Sequence, residues 1–118
     1  MRPARSERAA IRAAALLAAT VALAAGARGD DVVGIAVTIK DHRFDPAEIR
    51  VPAGKPVRLD ITNEDPTAEE FDSRALKVEK VIAGGRSGSV RIRPLDPGRY
   101  PFVGEYHADT AKGEVVAE

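Results

Sequence analysis

The chain has 118 residues, with 18 Lys or Arg against 18 Asp or Glu, no cysteine, two histidines and one methionine. One domain is the natural expectation at this length. The absence of cysteine excludes a disulfide framework, a thiolate nucleophile, a Cys-ligated zinc and an iron–sulfur cluster. Basic residues are scattered among acidic ones and the formal charge is zero, so nucleic acid is not expected as a partner.

The first 27 residues have the pattern of a secretory signal peptide. Four arginines and one glutamate come first, an apolar run from Ala13 to Ala25 follows, and the small residues Ala25-Gly26-Ala27 end it. A basic start, a short apolar stretch and a small-residue exit are typical of a cleaved signal. An uncleaved membrane anchor is the less favoured alternative, because spanning a bilayer takes roughly 20 apolar residues. The sequence therefore predicts a signal peptide over residues 1–27, a mature domain over 28–118 and a periplasmic location.

Removing this leader changes the charge of the protein. The mature domain keeps 14 basic and 17 acidic residues, a formal net charge of −3. A disulfide would be available in an oxidising compartment, but the chain has no cysteine with which to form one. We therefore expect the domain to be stabilised by its core alone, or by its core and a metal ion.

Apolar and polar residues alternate through most of the mature domain. The alternation is clear over residues 33–39, 57–61 and 90–92 and less regular over 76–82, with Asp-Pro, Pro-Ala-Gly, Gly-Gly and Asp-Pro-Gly turn signals between the runs. A period of two predicts strands that bury one face. The pattern predicts an all-β fold, an antiparallel Greek-key β-sandwich or barrel of about seven to eight strands, with no helix.

Aromatic residues are few and fit structural roles. Leu95-Asp96-Pro97-Gly98-Arg99-Tyr100 has the form of a tyrosine corner, in which the Tyr hydroxyl bonds back to the main chain. Phe44, Phe71 and Phe102 are predicted to lie in the core, where the chain has no tryptophan to supply packing area.

Chemistry-bearing residues are concentrated in two histidine segments and one acidic segment. No serine has a nucleophile setting, and the glycine-rich residues 84–88 lack the ending of a phosphate loop, which favours a plain hairpin connection. Residues 63–72 hold five carboxylates, His42 follows the first predicted strand, and His107 follows the Tyr100–Val103 strand. Imidazole with carboxylates suits copper, iron, manganese or zinc. Surface histidines and a solvated acidic loop are the alternative interpretation.

The order of motifs resembles that of the cupredoxin family. It runs through a strand, F-x-P, V-P-A-G-K-P-V, N-E-D, E-E-F, P-G-x-Y-x-F, G-E-Y-H and K-G-E-V-V, and covers residues 32–118. The chain is most similar to the EfeO-type cupredoxin-like domain of small periplasmic proteins found with Ftr-type iron permeases. The resemblance implies a β-sandwich with a metal site at one end.

The resemblance also implies that a blue-copper centre is absent. Glu69, or Glu70 within alignment error, stands at the first His position, Gly104 at the Cys position and Ala111 at the Met position, so only His107 is kept. Type 1 copper needs the thiolate, so we expect no intense blue absorption. The implied non-blue site, for copper and/or iron, draws on Glu69, Glu70, Asp72, Glu105 and His107. His42, from another loop, either joins this site or forms a second one.

Three functions are compatible with these residues. The first is a periplasmic metal-binding protein that assists ferrous iron oxidation or delivery to an inner-membrane iron permease. The alternative is a degenerate cupredoxin that only docks to a permease or another periplasmic protein, without a functional metal. A ferroxidase in its own right is the third.

Overall fold

Nine β-strands account for more than half of residues 31–118, the part of the chain that the computed structural model describes. They are β1 (Val33–Lys40), β2 (Arg43–Asp45), β3 (Glu48–Val51), β4 (Val57–Asn63), β5 (Glu69–Ser73), β6 (Val78–Ile82), β7 (Ser87–Ile92), β8 (Gly98–Gly104) and β9 (Lys112–Ala117). A single 3-10 turn, Glu105–His107, is the only helical element in these residues, and they contain no helix able to cross a membrane. The predicted signal peptide, residues 1–27, lies outside the described residues.

The strands form two sheets, which confirms the predicted all-β sandwich. The first sheet has the order β2-β1-β4-β7 and the second the order β3-β9-β8-β5-β6. Two features correct the prediction in detail. The short strands β2 and β3 bring the number in residues 31–118 to nine, and two pairs, β1 with β4 and β3 with β9, are parallel. Alternation of apolar and polar residues predicts a half-buried strand, but it does not indicate the direction of the neighbouring strand. The sequence therefore could not distinguish parallel from antiparallel pairs.

The inner faces of the two sheets supply the core. In β4, Val57, Leu59 and Ile61 are buried while the residues between them face outward, as the alternation predicts. Phe44, Phe71 and Phe102 meet at the centre of the sandwich. The Phe71 and Phe102 rings stack with centroids 4.8 Å apart, and Phe44 meets both edge-on at 5.8 and 5.0 Å. These are the favourable arrangements for aromatic pairs, so the three rings hold the sheets together as predicted.

A tyrosine corner stabilises the entry to β8. The Tyr100 hydroxyl donates a hydrogen bond of 2.7 Å to the carbonyl oxygen of Asp96, four residues earlier. This confirms the structural role predicted for Tyr100.

Three connections come together at one end of the sandwich. They are the two-residue turn 41–42 between β1 and β2, the loop 64–68 between β4 and β5, and the segment 105–111 between β8 and β9. The turn is tied to the loop through Asp65 and to the segment through Thr110. Both predicted histidines, His42 and His107, lie at this end.

Candidate functional site

A buried carboxylate paired with an imidazole forms the centre of the site. Glu69 begins β5 on its inward face, and its side chain is 1% exposed. One carboxylate oxygen, Oε2, lies 2.6 Å from Nδ1 of His107, while Oε1 accepts the backbone N–H groups of Tyr106 at 2.9 Å and Glu70 at 3.0 Å. Three donors therefore satisfy the carboxylate, as a buried anion requires. The outer edge of the His107 ring remains at the surface, since that side chain is 26% exposed.

Gly104 leaves the space that this carboxylate occupies. A Cβ atom at position 104 would lie 2.7 Å from Cδ of Glu69, 2.9 Å from its Oε2 and 2.6 Å from Cβ of Ala111. Real Cβ atoms do not approach heavy atoms this closely. The Glu69 carboxylate thus fills the space in which the resemblance places a cysteine side chain. The buried glutamate and a thiol at position 104 would exclude each other.

His42 covers His107 from the neighbouring turn. The two imidazole rings stack with centroids 3.6 Å apart and planes 12° from parallel. Asp65 lies behind His42, with Oδ2 at 3.5 Å from its Nδ1, and accepts the backbone N–H groups of Asp41 and His42. The backbone N–H of His42, assisted by that of Asp41 and against the effect of burial, lowers the pKa of Asp65.

The other predicted ligands lie on a different face. Along β5 the side chains alternate, so Glu70 and Asp72 point away from the core that Glu69 enters. The structure thus brings Glu69, His107 and His42 together, whereas Glu70, Asp72 and Glu105 lie outside this group. Desolvation, followed by the charges of Glu79, Asp72, Glu105 and Glu69, raises the pKa of Glu70. We call Glu70, Asp72, Glu79 and Glu105 the acidic face.

Replacing Glu70 with glutamine is expected to stabilise the domain at neutral pH. A carboxyl group whose pKa is raised on folding adds stability below its unfolded pKa, and this is lost as the pH rises through the folded value. Glu70→Gln removes that loss, so its thermal midpoint should exceed that of the wild type at pH 7 and match it near pH 3.

Asp60→Asn is the matched control for this change. The pKa of Asp60 is lowered, chiefly by its hydrogen bond from Arg58 and then by that from Ser89. The substitution should therefore reduce the thermal midpoint at pH 7, the opposite sign. A lower midpoint for Glu70→Gln at pH 7 would contradict the raised pKa of Glu70, which is caused by desolvation and then by the neighbouring carboxylates.

The described residues contain no group of three or more His, Asp or Glu side chains arranged to hold a metal ion. Nδ1 of His107 and Oε2 of Glu69 are bonded to each other, so Nε2 is the ring nitrogen of His107 left to bind a metal. The site joins a buried carboxylate to an imidazole by a short hydrogen bond, and it presents two imidazole edges at the surface. The six predicted site residues remain a prediction as metal ligands.

Sequence reasoning missed Asp65 and Thr110, which act on His42 through its backbone. Asp65 belongs to an Asp-Pro pair, which is typical of a turn. Thr110 lies in a short polar stretch. The hydroxyl of Thr110 donates to the carbonyl oxygen of His42 at 2.7 Å. Only the packing of three loops against one another makes these contacts, so no local pattern could have indicated them.

Comparison with known proteins agrees with the fold. The chain is 40% identical over 87 residues to the uncharacterized protein RP394 of Rickettsia prowazekii (strain Madrid E), which covers 74% of this chain and 70% of that protein. Among solved structures, it is similar to the metal-binding domain of the Cu(I)-exporting P-type ATPase CopA of Streptococcus pneumoniae D39. That match has a TM-score of 0.64 at 17% identity and covers 75% of this chain and 96% of the other.

A second solved structure with the same likeness is auracyanin A, a blue copper protein from Chloroflexus aurantiacus, with a TM-score of 0.62 at 15% identity over 75% of this chain and all of the other. At these identities the likeness establishes the fold alone. The family model described as cupredoxin-like domain matches residues 11–117. The chain therefore belongs to the cupredoxin-like domain family.

Proposed function

We propose that the protein is a periplasmic metal-binding cupredoxin that assists the oxidation of ferrous iron or its delivery to an inner-membrane iron permease. The observation that carries the proposal is the meeting of Glu69, His107 and His42 at one end of the sandwich. One carboxylate and two imidazoles are ligands that Cu(II), Fe(II) and Fe(III) accept. The motifs N-E-D, E-E-F and G-E-Y-H, which resemble those of EfeO-type proteins, support the link to iron.

The chemistry of these side chains suits a non-blue metal, and it does not suit type 1 copper. A thiolate ligand would need a side chain at Gly104, where the Glu69 carboxylate already lies. His107, through Nε2, and His42 would hold the ion, with Glu69 orienting the His107 ring, and a bound copper or iron ion would supply one-electron redox chemistry there. In the structure Glu69 orients the His107 ring through Nδ1 and shields it from the core, while the outer ring edge faces solvent.

Titration of the domain over residues 28–118 with Cu(II), Fe(II) and Fe(III) tests this proposal. We expect one equivalent of metal, a Cu(II) electron paramagnetic resonance signal with imidazole nitrogen coupling, and no intense thiolate absorption band. Glu69→Gln should weaken binding about 10- to 100-fold, the range found when a group that orients a metal ligand is removed, and His107→Ala should weaken it at least as much.

Glu48→Gln is the matched control for Glu69→Gln. Glu48 lies on β3, where it pairs with Arg50 and is well exposed. Its loss should leave metal affinity unchanged. Wild-type affinity in a Glu69→Gln, His107→Ala double variant would overturn the assigned site.

A specific observation favours protein docking as the second candidate function. Tyr106 and Val81, 52% and 48% exposed, are the exposed large hydrophobic residues of the described chain. Both adjoin the acidic face, because Val81 lies opposite Glu70 in the β5–β6 pair and Tyr106 follows Glu105. Apolar side chains beside unpaired carboxylates suit a basic protein surface. If the titration shows no stoichiometric metal, docking becomes the preferred function.

A further inference from the structure

The turn that carries His42 has an unusual backbone conformation. Asp41 has φ 52° and His42 has φ 57°, so two consecutive residues other than glycine occupy the left-handed region. This is the conformation of a two-residue turn of type I′, in which Asn, Asp and Gly are the favoured residues. A histidine there is strained, and such strain persists only where surrounding contacts fix the conformation.

Two side chains from different loops fix this turn. Oδ1 of Asp65 accepts the backbone N–H of Asp41 at 2.8 Å, and Oδ2 accepts that of His42 at 2.9 Å. Asp65 is buried and is itself held by Asn63, whose side-chain oxygen accepts its backbone N–H at 3.0 Å. The lowered pKa of Asp65 agrees with a carboxylate that accepts bonds from the main chain.

The second side chain is Thr110, which belongs to the segment between β8 and β9. Its hydroxyl donates to the carbonyl oxygen of His42 at 2.7 Å, and its own backbone N–H donates to the carbonyl oxygen of His107 at 3.1 Å. Thr110 therefore links the main chain of one histidine to that of the other. With both the N–H and the C=O of His42 bonded, only the two side-chain torsions of the ring remain to be set.

We infer that Asp65 and Thr110 are positioning residues that hold the strained turn so that His42 lies against His107. The consequence is a site with two adjacent imidazoles in place of one. The positioning follows from the contacts above and holds for the metal-free protein. The part that concerns metal affinity rests on the proposed function.

The chemistry of a ring nitrogen explains why this positioning matters. Its lone pair lies in the plane of the ring, so two rings stacked 12° from parallel do not direct their lone pairs at one point. A second imidazole contributes to binding only if it is held near the first and can turn toward it. A fixed backbone at His42 with a free ring provides both conditions and reduces the ordering that binding would otherwise require.

Nuclear magnetic resonance of the metal-free domain, residues 28–118, tests the positioning. The wild type should show nuclear Overhauser contacts between ring protons of His42 and His107. Asp65→Asn and Thr110→Val should each reduce these contacts, with Thr110→Val leaving the buried carboxylate in place. Asp60→Asn, which removes a carboxylate from the exposed face of β4, is the matched control and should leave them unchanged.

A rescue separates positioning from general stability. Glycine adopts positive φ without strain, so Asp41→Gly in the Asp65→Asn background should restore part of the contact between the rings. Cu(II) affinity is the second measurement, and Asp65→Asn should lower it about 10- to 100-fold, the range found for residues that orient a metal-binding histidine.

The outcomes separate this inference from the proposed function. Full ring contacts in both Asp65→Asn and Thr110→Val would overturn the positioning inference whatever the protein binds. Ring contacts that depend on Asp65 in a wild type without metal affinity would support the positioning and refute the metal-binding proposal. Wild-type Cu(II) affinity in Asp65→Asn would refute a contribution of the positioned His42 to binding.

Discussion

His107→Ala is expected to lower the free energy of unfolding by about 2–3 kcal/mol at neutral pH. The substitution removes the partner of a carboxylate that is 1% exposed. Leaving a buried polar group without its hydrogen-bond partner typically costs about 1–3 kcal/mol, and more when the group is charged. We expect a loss of about 2–3 kcal/mol and no more. Glu69 keeps its hydrogen bonds from the backbone N–H groups of Tyr106 and Glu70, and His107 is partly exposed. Urea unfolding of residues 28–118 measures the difference.

His42→Ala is the matched control for that change. It removes the same side chain from the same end of the sandwich, but His42 is 44% exposed and its neighbour Asp65 keeps two backbone N–H donors. Loss of less than about 1 kcal/mol is expected, as for a surface ion pair. Equal losses in the two variants would show that the Glu69–His107 pair contributes no more than a surface contact.

Gly104→Ala is expected to destabilise the domain by about 1–3 kcal/mol, the usual effect of overpacking a filled core. The added methyl group would collide with the Glu69 carboxylate and with Cβ of Ala111, and neither lies at the end of a flexible exposed chain. Gly34→Ala is the matched control, since its Cβ would meet mainly the end of the exposed Arg58 side chain, which can move away. Thermal or urea unfolding should show a much smaller loss for Gly34→Ala.

A double-mutant cycle identifies the cause of this loss. If Glu69 fills the space above Gly104, Gly104→Ala should cost less in a Glu69→Ala background than in the wild type. Residues in direct contact typically show coupling energies of about 0.5–3 kcal/mol. Additive losses would mean that the two positions do not compete for the same space, and would overturn the explanation given for the missing thiol ligand.

Most of the fold could be predicted because its signals are local. Alternation in β1, β4 and β7, turn residues between them and the Leu95–Tyr100 motif each lie within a few neighbouring residues. The parallel pairing of β1 with β4 and of β3 with β9 could not, because strand direction is decided by the path of the whole chain. The short strands β2 and β3 were missed because three or four residues carry too little alternation.

The site could be predicted only in part. The resemblance pointed to Glu69 and His107, which the structure brings into contact, and to His42, which stacks on His107. The separation of Glu69 from Glu70 and Asp72 follows from the alternation of β5, and applying that alternation to the acidic segment would have indicated it. The bonds from Asp65 and Thr110 to the His42 turn join residues 23 and 68 positions apart and had no sequence signal.

The position of β9 has a consequence for the order in which the protein folds. This last strand of the described chain lies inside its sheet, between β3 and β8, so five-stranded pairing must wait until residues 112–117 are present. Contacts between β3 and β9 join residues such as Glu48 and Glu114, and pairings of this sequence separation slow folding. We therefore expect the five-stranded sheet to form only after β9 has been synthesised, and not strand by strand as the chain emerges.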